Sequence, residues 1–163
     1  MVFFKYFFIF TLAFLCNSLS AQDSIPQANS KIVSYVKSVM GKKVDRGECW
    51  DLANEALKLV KAKWNYQFKY GKLLDRDKDT IYPGDIIQFK NVIVVTKSDN
   101  GRETKTETMK QHTAIVYKVY EKGDFEIAHQ NTNFSGRKVG TSRLVLKNIK
   151  RGEIFIYRPI TEN

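Results

Sequence analysis

Apolar spacing changes once along this chain, and that change limits its architecture more than any other feature. Between Ile32 and Trp64 the apolar side chains recur every three to four residues; from Ile86 onward they gather in short Val-, Ile-, Phe- and Tyr-rich runs bounded by turn residues. Helices first and strands later is the order of an α+β domain, not of alternating βαβ units. In detail, Ile32, Tyr35, Val36 and Val39 or Met40 predict a short helix that stops at Gly41, after a polar lead-in over 22–30. Asp45 and Glu48 have capping-box spacing, so a second helix is expected from near Asp45, with Cys49, Ala53, Ala56 or Leu57, Val60 and Trp64 on its inward stripe.

After a mixed stretch from Trp64 to Asp79, Tyr82-Pro83-Gly84-Asp85 reads as a turn, with Asp85 bonding backbone. Strands are expected over 86–89, 92–96, 112–120, 125–129, 143–146 and 153–157. Ser98-Asp99-Asn100-Gly101 is a hairpin-type signal, 102–111 a polar segment, and Lys122-Gly123-Asp124 a second turn. The expected fold is two N-terminal helices packed on a small, curved antiparallel sheet of five or six strands, one domain over 31–160.

The first 21 residues stand outside that pattern. Met1 to Leu15 is an apolar run broken only by Lys5, and Asn17, Ser18 and Ser20 follow, as in a secretory signal peptide cleaved near Ala21. The run is too short for a convincing membrane span, so a secreted or periplasmic product with no stable membrane insertion is expected. Cleavage leaves 142 of the 163 residues and removes Lys5, so 26 basic residues face 17 acidic ones, a net charge of +9. The bases are scattered in runs of two at most, which does not resemble a nucleic-acid-binding arm; a solvated basic surface or weak attraction to anionic polymers is the reading. Cleavage also leaves one cysteine, Cys49, and only two histidines, His112 and His129. No internal disulfide can form, and an unpaired thiol in an oxidising compartment reads first as reactive. A structural zinc site would want four Cys or His ligands in close pairs, so no metal cofactor is called for.

Thiol hydrolysis needs a nucleophile at a helix N-terminus, a base, and a group that orients the base. Cys49 lies in the first turns of its helix, where free N–H groups and the dipole favour a thiolate and can hold an oxyanion. A hairpin through Gly123 would place His112, at a strand start, beside His129 and Asn131 at the end of the next strand. A catalytic Cys49 should then be ionised near neutral pH and depend on His112. The bland alternative is Cys49 as a small core hydrophobe, with Trp50 and Trp64 as core or cleft walls.

Four segments occur in order: Gly47-Glu48-Cys49-Trp50-Asp51-Leu52-Ala53, Pro83-Gly84-Asp85-Ile86-Ile87-Gln88-Phe89, His112-Thr113-Ala114-Ile115-Val116 and His129-Gln130-Asn131. Together they resemble the papain-like superfamily of NlpC-type peptidases and CHAP domains. They also resemble the cysteine-proteinase-fold domain at the C-terminus of the fungal myosin tail region-interacting protein, over roughly residues 40 to 158. The resemblance implies Cys49 as nucleophile, His112 as general base and acid, and His129 as the orienting residue, with Asn131 the alternative. It implies amide hydrolysis, in bacterial relatives mostly of peptidoglycan stem peptides. Glu48 departs from the glutamine that CHAP domains often carry before the cysteine. An ionised carboxylate there would repel a thiolate and an oxyanion unless it is turned away as a cap, and it is the residue that would mark an inactive peptide- or glycan-binding module.

Overall fold

The computed structural model describes residues 24–97 and 104–161. The expected leader over 1–21 and the Ser98–Gly101 turn lie outside the described residues. Two helices, α1 (Gln27–Val39) and α2 (Cys49–Leu59), precede six strands: β1 (Lys72–Leu74), β2 (Ile86–Lys97), β3 (Thr104–Glu121), β4 (Asp124–His129), β5 (Gly140–Val145) and β6 (Ile149–Arg158). The strands form one antiparallel sheet in the order β1-β6-β2-β3-β4-β5. The α+β class expected from the change of period is the observed one.

Both faces of the central strands are covered, which explains why Ile86 to Phe89 is a continuous buried run instead of an alternating one. On one face Ile32 and Val36 of α1 and Leu52, Ala53, Ala56 and Leu57 of α2 pack on Ile86, Ile115, Ala128 and Tyr157. On the other, the sheet curls over Ile87, Phe89, Ala114, Val116, Phe125, Ile127 and Leu144.

Several boundaries differ from the sequence reading, each for a local reason. Helix α1 begins at Gln27, inside the expected lead-in, because Asn29 is buried and donates to Pro83 O (3.0 Å) and Asp85 Oδ1 (2.8 Å). Helix α2 begins at Cys49, not near Asp45. Asp45 is in a left-handed conformation (φ 48°), and the capping box is formed by Glu48 and Asp51, one turn later. The polar segment before His112 is strand: Thr104 to Gln111 pairs with Lys90 to Lys97. Its side chains are mostly exposed, so it has no apolar alternation to announce it. The stretch after Trp64 contains β1, paired with β6.

The Pro83-Gly84-Asp85 turn joins the layers. Asp85, fully buried, takes a two-pronged contact from Arg158 (2.8 and 3.1 Å) and the backbone N–H of Tyr82 (2.8 Å), while its own carbonyl accepts from Val116 N–H (2.8 Å). Gly84 has φ +90°, and a Cβ there would lie 2.6 Å from Asn29 O, against α1 backbone. Gly136 also has positive φ (+59°) but open space around it. Gly84→Ala is therefore expected to cost about 2–4 kcal/mol, strain plus displacement of α1, and Gly136→Ala only about 1 kcal/mol. Urea denaturation midpoints of the two variants check this; equal losses would show that α1 does not press on the turn.

Candidate active site

Helix α2 packs on one face of the sheet, whereas His112 and His129 project from the other, beside Phe89. They meet because β4 leaves β3 early. The last β3–β4 pair is Ile115 with Ala128, and two residues farther along β3 the backbone N–H of Thr113 hydrogen-bonds the Cys49 sulfur. The N-terminus of α2 thus fills the place beside Thr113 that a longer β4 would have taken. Gln130 holds it there: this fully buried side chain accepts from Val44 N–H (3.1 Å) and donates to Val44 O (3.0 Å) and Glu48 O (2.8 Å).

Cys49, His112, His129, Asn131 and Phe134 line one cleft of about 780 Å³, whose far wall is the exposed half of β3 from Lys105 to Gln111. His112 Nε2 lies 2.9 Å from His129 Nδ1, and His129 Nε2 lies 3.0 Å from Ser142 Oγ. Asn131 does not join this chain. It sits at φ 60° and donates from Nδ2 to Glu48 Oε2 (2.9 Å). Glu48 also accepts the backbone N–H of Asp51 as the helix cap and lies 3.3 Å from Arg137 Nη2, so its carboxylate is held by the cap, an amide and a guanidinium. The Trp50 ring turns toward Trp64 (5.9 Å) beneath the Arg46 guanidinium (4.8 Å) and contributes only its backbone N–H to the sulfur.

Burial dominates the electrostatics. It pushes the Cys49 thiol pKa up, against the backbone N–H groups of Thr113, Trp50 and Cys49 itself, while Glu48 adds an upward push. His112 is lowered to about 4 by burial, partly offset by Glu107. His129 is lowered to about 3 by burial, then by His112 and Lys105. The resting pair is therefore thiol and neutral imidazole, not the thiolate–imidazolium pair expected from the helix N-terminus. The helix end and the amides are present, but the pocket that holds them is too dry for their field to win.

Sequence reasoning singled out Cys49, His112, His129, Asn131, Glu48 and Trp50 but not Gln130, Ser142, Phe134 or the Thr113 amide. Strand alternation turns Gln130 away from His129 and toward the helices, a signal available once β4 is placed. Ser142 carries no local signal; it depends on the β4–β5 register. Among the described residues no group of three His, Cys, Asp or Glu side chains could hold a metal ion.

Unfolding exposes both imidazoles to water, where each binds a proton near pH 6.5, whereas the folded rings stay neutral down to about 4 and about 3. The unfolded state therefore binds more protons in that window, and stability is expected to fall as pH drops from about 6.5 toward those values. His129→Gln should flatten this acid limb in urea denaturation; an unchanged limb would show that the ring does not resist protonation.

Among curated proteins, the chain is 28% identical over 169 residues to altered inheritance of mitochondria protein 3 from Debaryomyces hansenii, covering 90% of this chain but 18% of that protein. The chain thus spans less than a fifth of that relative. Two solved structures align with it: Ly7917 (TM-score 0.49, 13% identity, 79% of this chain and 62% of that one) and Ly7917 with the hydrolyzing product of MDP (TM-score 0.49, 15% identity, 80% and 63%). The model of the AIM3/BBC1 cysteine proteinase-fold domain matches residues 22–163, nearly the whole chain, which therefore belongs to that family.

Proposed function

We propose that the protein is a cysteine hydrolase that cleaves an amide bond through an acyl-thioester on Cys49, with peptide linkages of cell-wall material as its substrate. The observation that carries this reading is the convergence, in one cleft, of a helix-start thiol bonded by three backbone amides and a histidine hydrogen-bonded to a second histidine. A core cysteine would need neither. In the reaction the Cys49 S–H proton passes to His112 as sulfur attacks the carbonyl carbon. The oxyanion takes hydrogen bonds from the backbone N–H groups at the start of α2. Collapse breaks the C–N bond, and His112 returns the proton to the leaving amine. Water then attacks the thioester, giving its proton to His112 and releasing the acid and the thiol. The apolar leader makes this an exported enzyme. The mitochondrial-inheritance name of the much longer fungal relative belongs to a protein of which this chain matches only 18%.

A second reading has its own observation. The raised thiol and lowered histidine pKa values mean that no ion pair preexists, as in a cleft kept for peptide or glycan binding after loss of chemistry. Turnover from a neutral pair demands that His112 remove the proton during attack, and that makes the two readings separable. Iodoacetamide labelling of Cys49 at neutral pH is expected to slow by about 10²-fold in His112→Ala, the usual scale of a general base. In the parent, labelling should persist below pH 6 and fall only as His112 protonates, around its pKa of about 4. Equal rates in the two proteins would leave the binding module as the reading.

A further inference from the structure

Ser142 stands behind both histidines, on the face of β5 that looks toward them. In the β4–β5 ladder His129 is opposite Gly140 and Ile127 is opposite Ser142. A Cβ at Gly140 would strike Phe134, whose ring packs on the His129 imidazole, and Ser142 is the diagonal neighbour of His129 on the same face, within its reach. The result is the 3.0 Å contact between Ser142 Oγ and His129 Nε2. We propose that Ser142 is a positioning residue that fixes the tautomer of His129 and, through it, keeps Nδ1 of His112 free to receive the Cys49 proton. This rests on Cys49 and His112 being nucleophile and base.

A neutral imidazole carries one N–H. When Ser142 Oγ accepts from His129 Nε2–H, the Nδ1 of His129 is a bare acceptor and takes the Nε2–H of His112. The one proton of His112 is then used, and its Nδ1 carries a lone pair. Proton transfer breaks S–H and forms Nδ1–H, leaving thiolate and imidazolium, with no other proton displaced. In the reverse arrangement Ser142 donates to Nε2, His129 donates from Nδ1, and His112 already holds its proton on Nδ1, where none can be added. A hydroxyl serves either state, but only the first lets the chain work. Without Oγ, the first state strands a buried N–H, while the reverse strands only a lone pair, the lesser loss. Ser142→Ala therefore tips the pair toward the blocked arrangement.

The test is the side-chain ¹⁵N spectrum of the histidines together with iodoacetamide labelling of Cys49. In the parent, His129 is expected to be protonated at Nε2. Ser142→Ala should move the proton to Nδ1 and slow labelling about tenfold, the loss of one hydrogen bond near the upper end of its usual range. Ser142→Asp, which can only accept, should restore the Nε2–H tautomer and bring the rate back within about threefold of the parent, a rescue that a mere packing role would not give. A parent protonated at Nδ1 overturns the proposal, whether or not any variant folds. So does Ser142→Ala with the parent's tautomer and rate. If the tautomers respond as stated but labelling never depends on His112, the nucleophile–base reading fails and the role of Ser142 toward His129 stands.

Discussion

The placement of Cys49 depends on one amide. Gln130 spends both ends of its side chain on the backbone that leads into α2, bonding Val44 on both sides and the carbonyl of Glu48. Because it follows His129 directly, the same two residues fix the helix start on one face of the sheet and the imidazole on the other. A second tie, the paired backbone bonds of Val139 with Gly41 and Lys42, holds the same loop to the approach of β5. With these in place the gap left by β4 is filled by sulfur, and the Thr113 amide that would otherwise be unpaired has an acceptor.

The site works within a conflict between field and dryness. A helix start and three amides stabilise a thiolate by direct hydrogen bonds, yet the walls that aim them exclude water, and exclusion acts on the thiol and on both imidazoles in the direction of neutrality. Phe89 and Phe134, in ring contact with His112 and His129 respectively, are part of those walls. In the proposed reaction, charge separation is thus deferred to the moment when a substrate carbonyl can take up the developing charge. Glu48, the departure most damaging to an enzyme by sequence, is held by the helix cap, Asn131 and Arg137. Two of the basic residues enter this balance: Lys105 adds to the lowering of His129, and Arg137 holds Glu48.

Much of this was legible because a few residue types were scarce. One thiol among the described residues and two histidines leave little choice, and the Gly123 hairpin brings His112 and His129 together by topology alone. What sequence could not supply were features that depend on register or on where a ladder ends. Taken strictly, the hairpin would place Asn131 opposite His112, but the ladder stops at Ile115–Ala128 and Asn131 turns through positive φ to meet Glu48. Ser142 is reached only through the β5 register. The first half of β3 escaped because both its faces are polar, and the start of α2 was set one turn early because Asp45–Glu48 and Glu48–Asp51 offer the same spacing. Only the second pair can leave Cys49 at the first helical position.

The central claim is that a neutral thiol and a neutral imidazole in this cleft perform acyl transfer. Intact-mass measurement after mixing with p-nitrophenyl acetate tests it without knowledge of the natural substrate. An acetyl group on Cys49 is expected to form quickly at neutral pH and then be lost by hydrolysis, and in His112→Ala to form slowly and persist. An acetyl group that never appears on Cys49, or that forms and decays alike in both proteins, would contradict it.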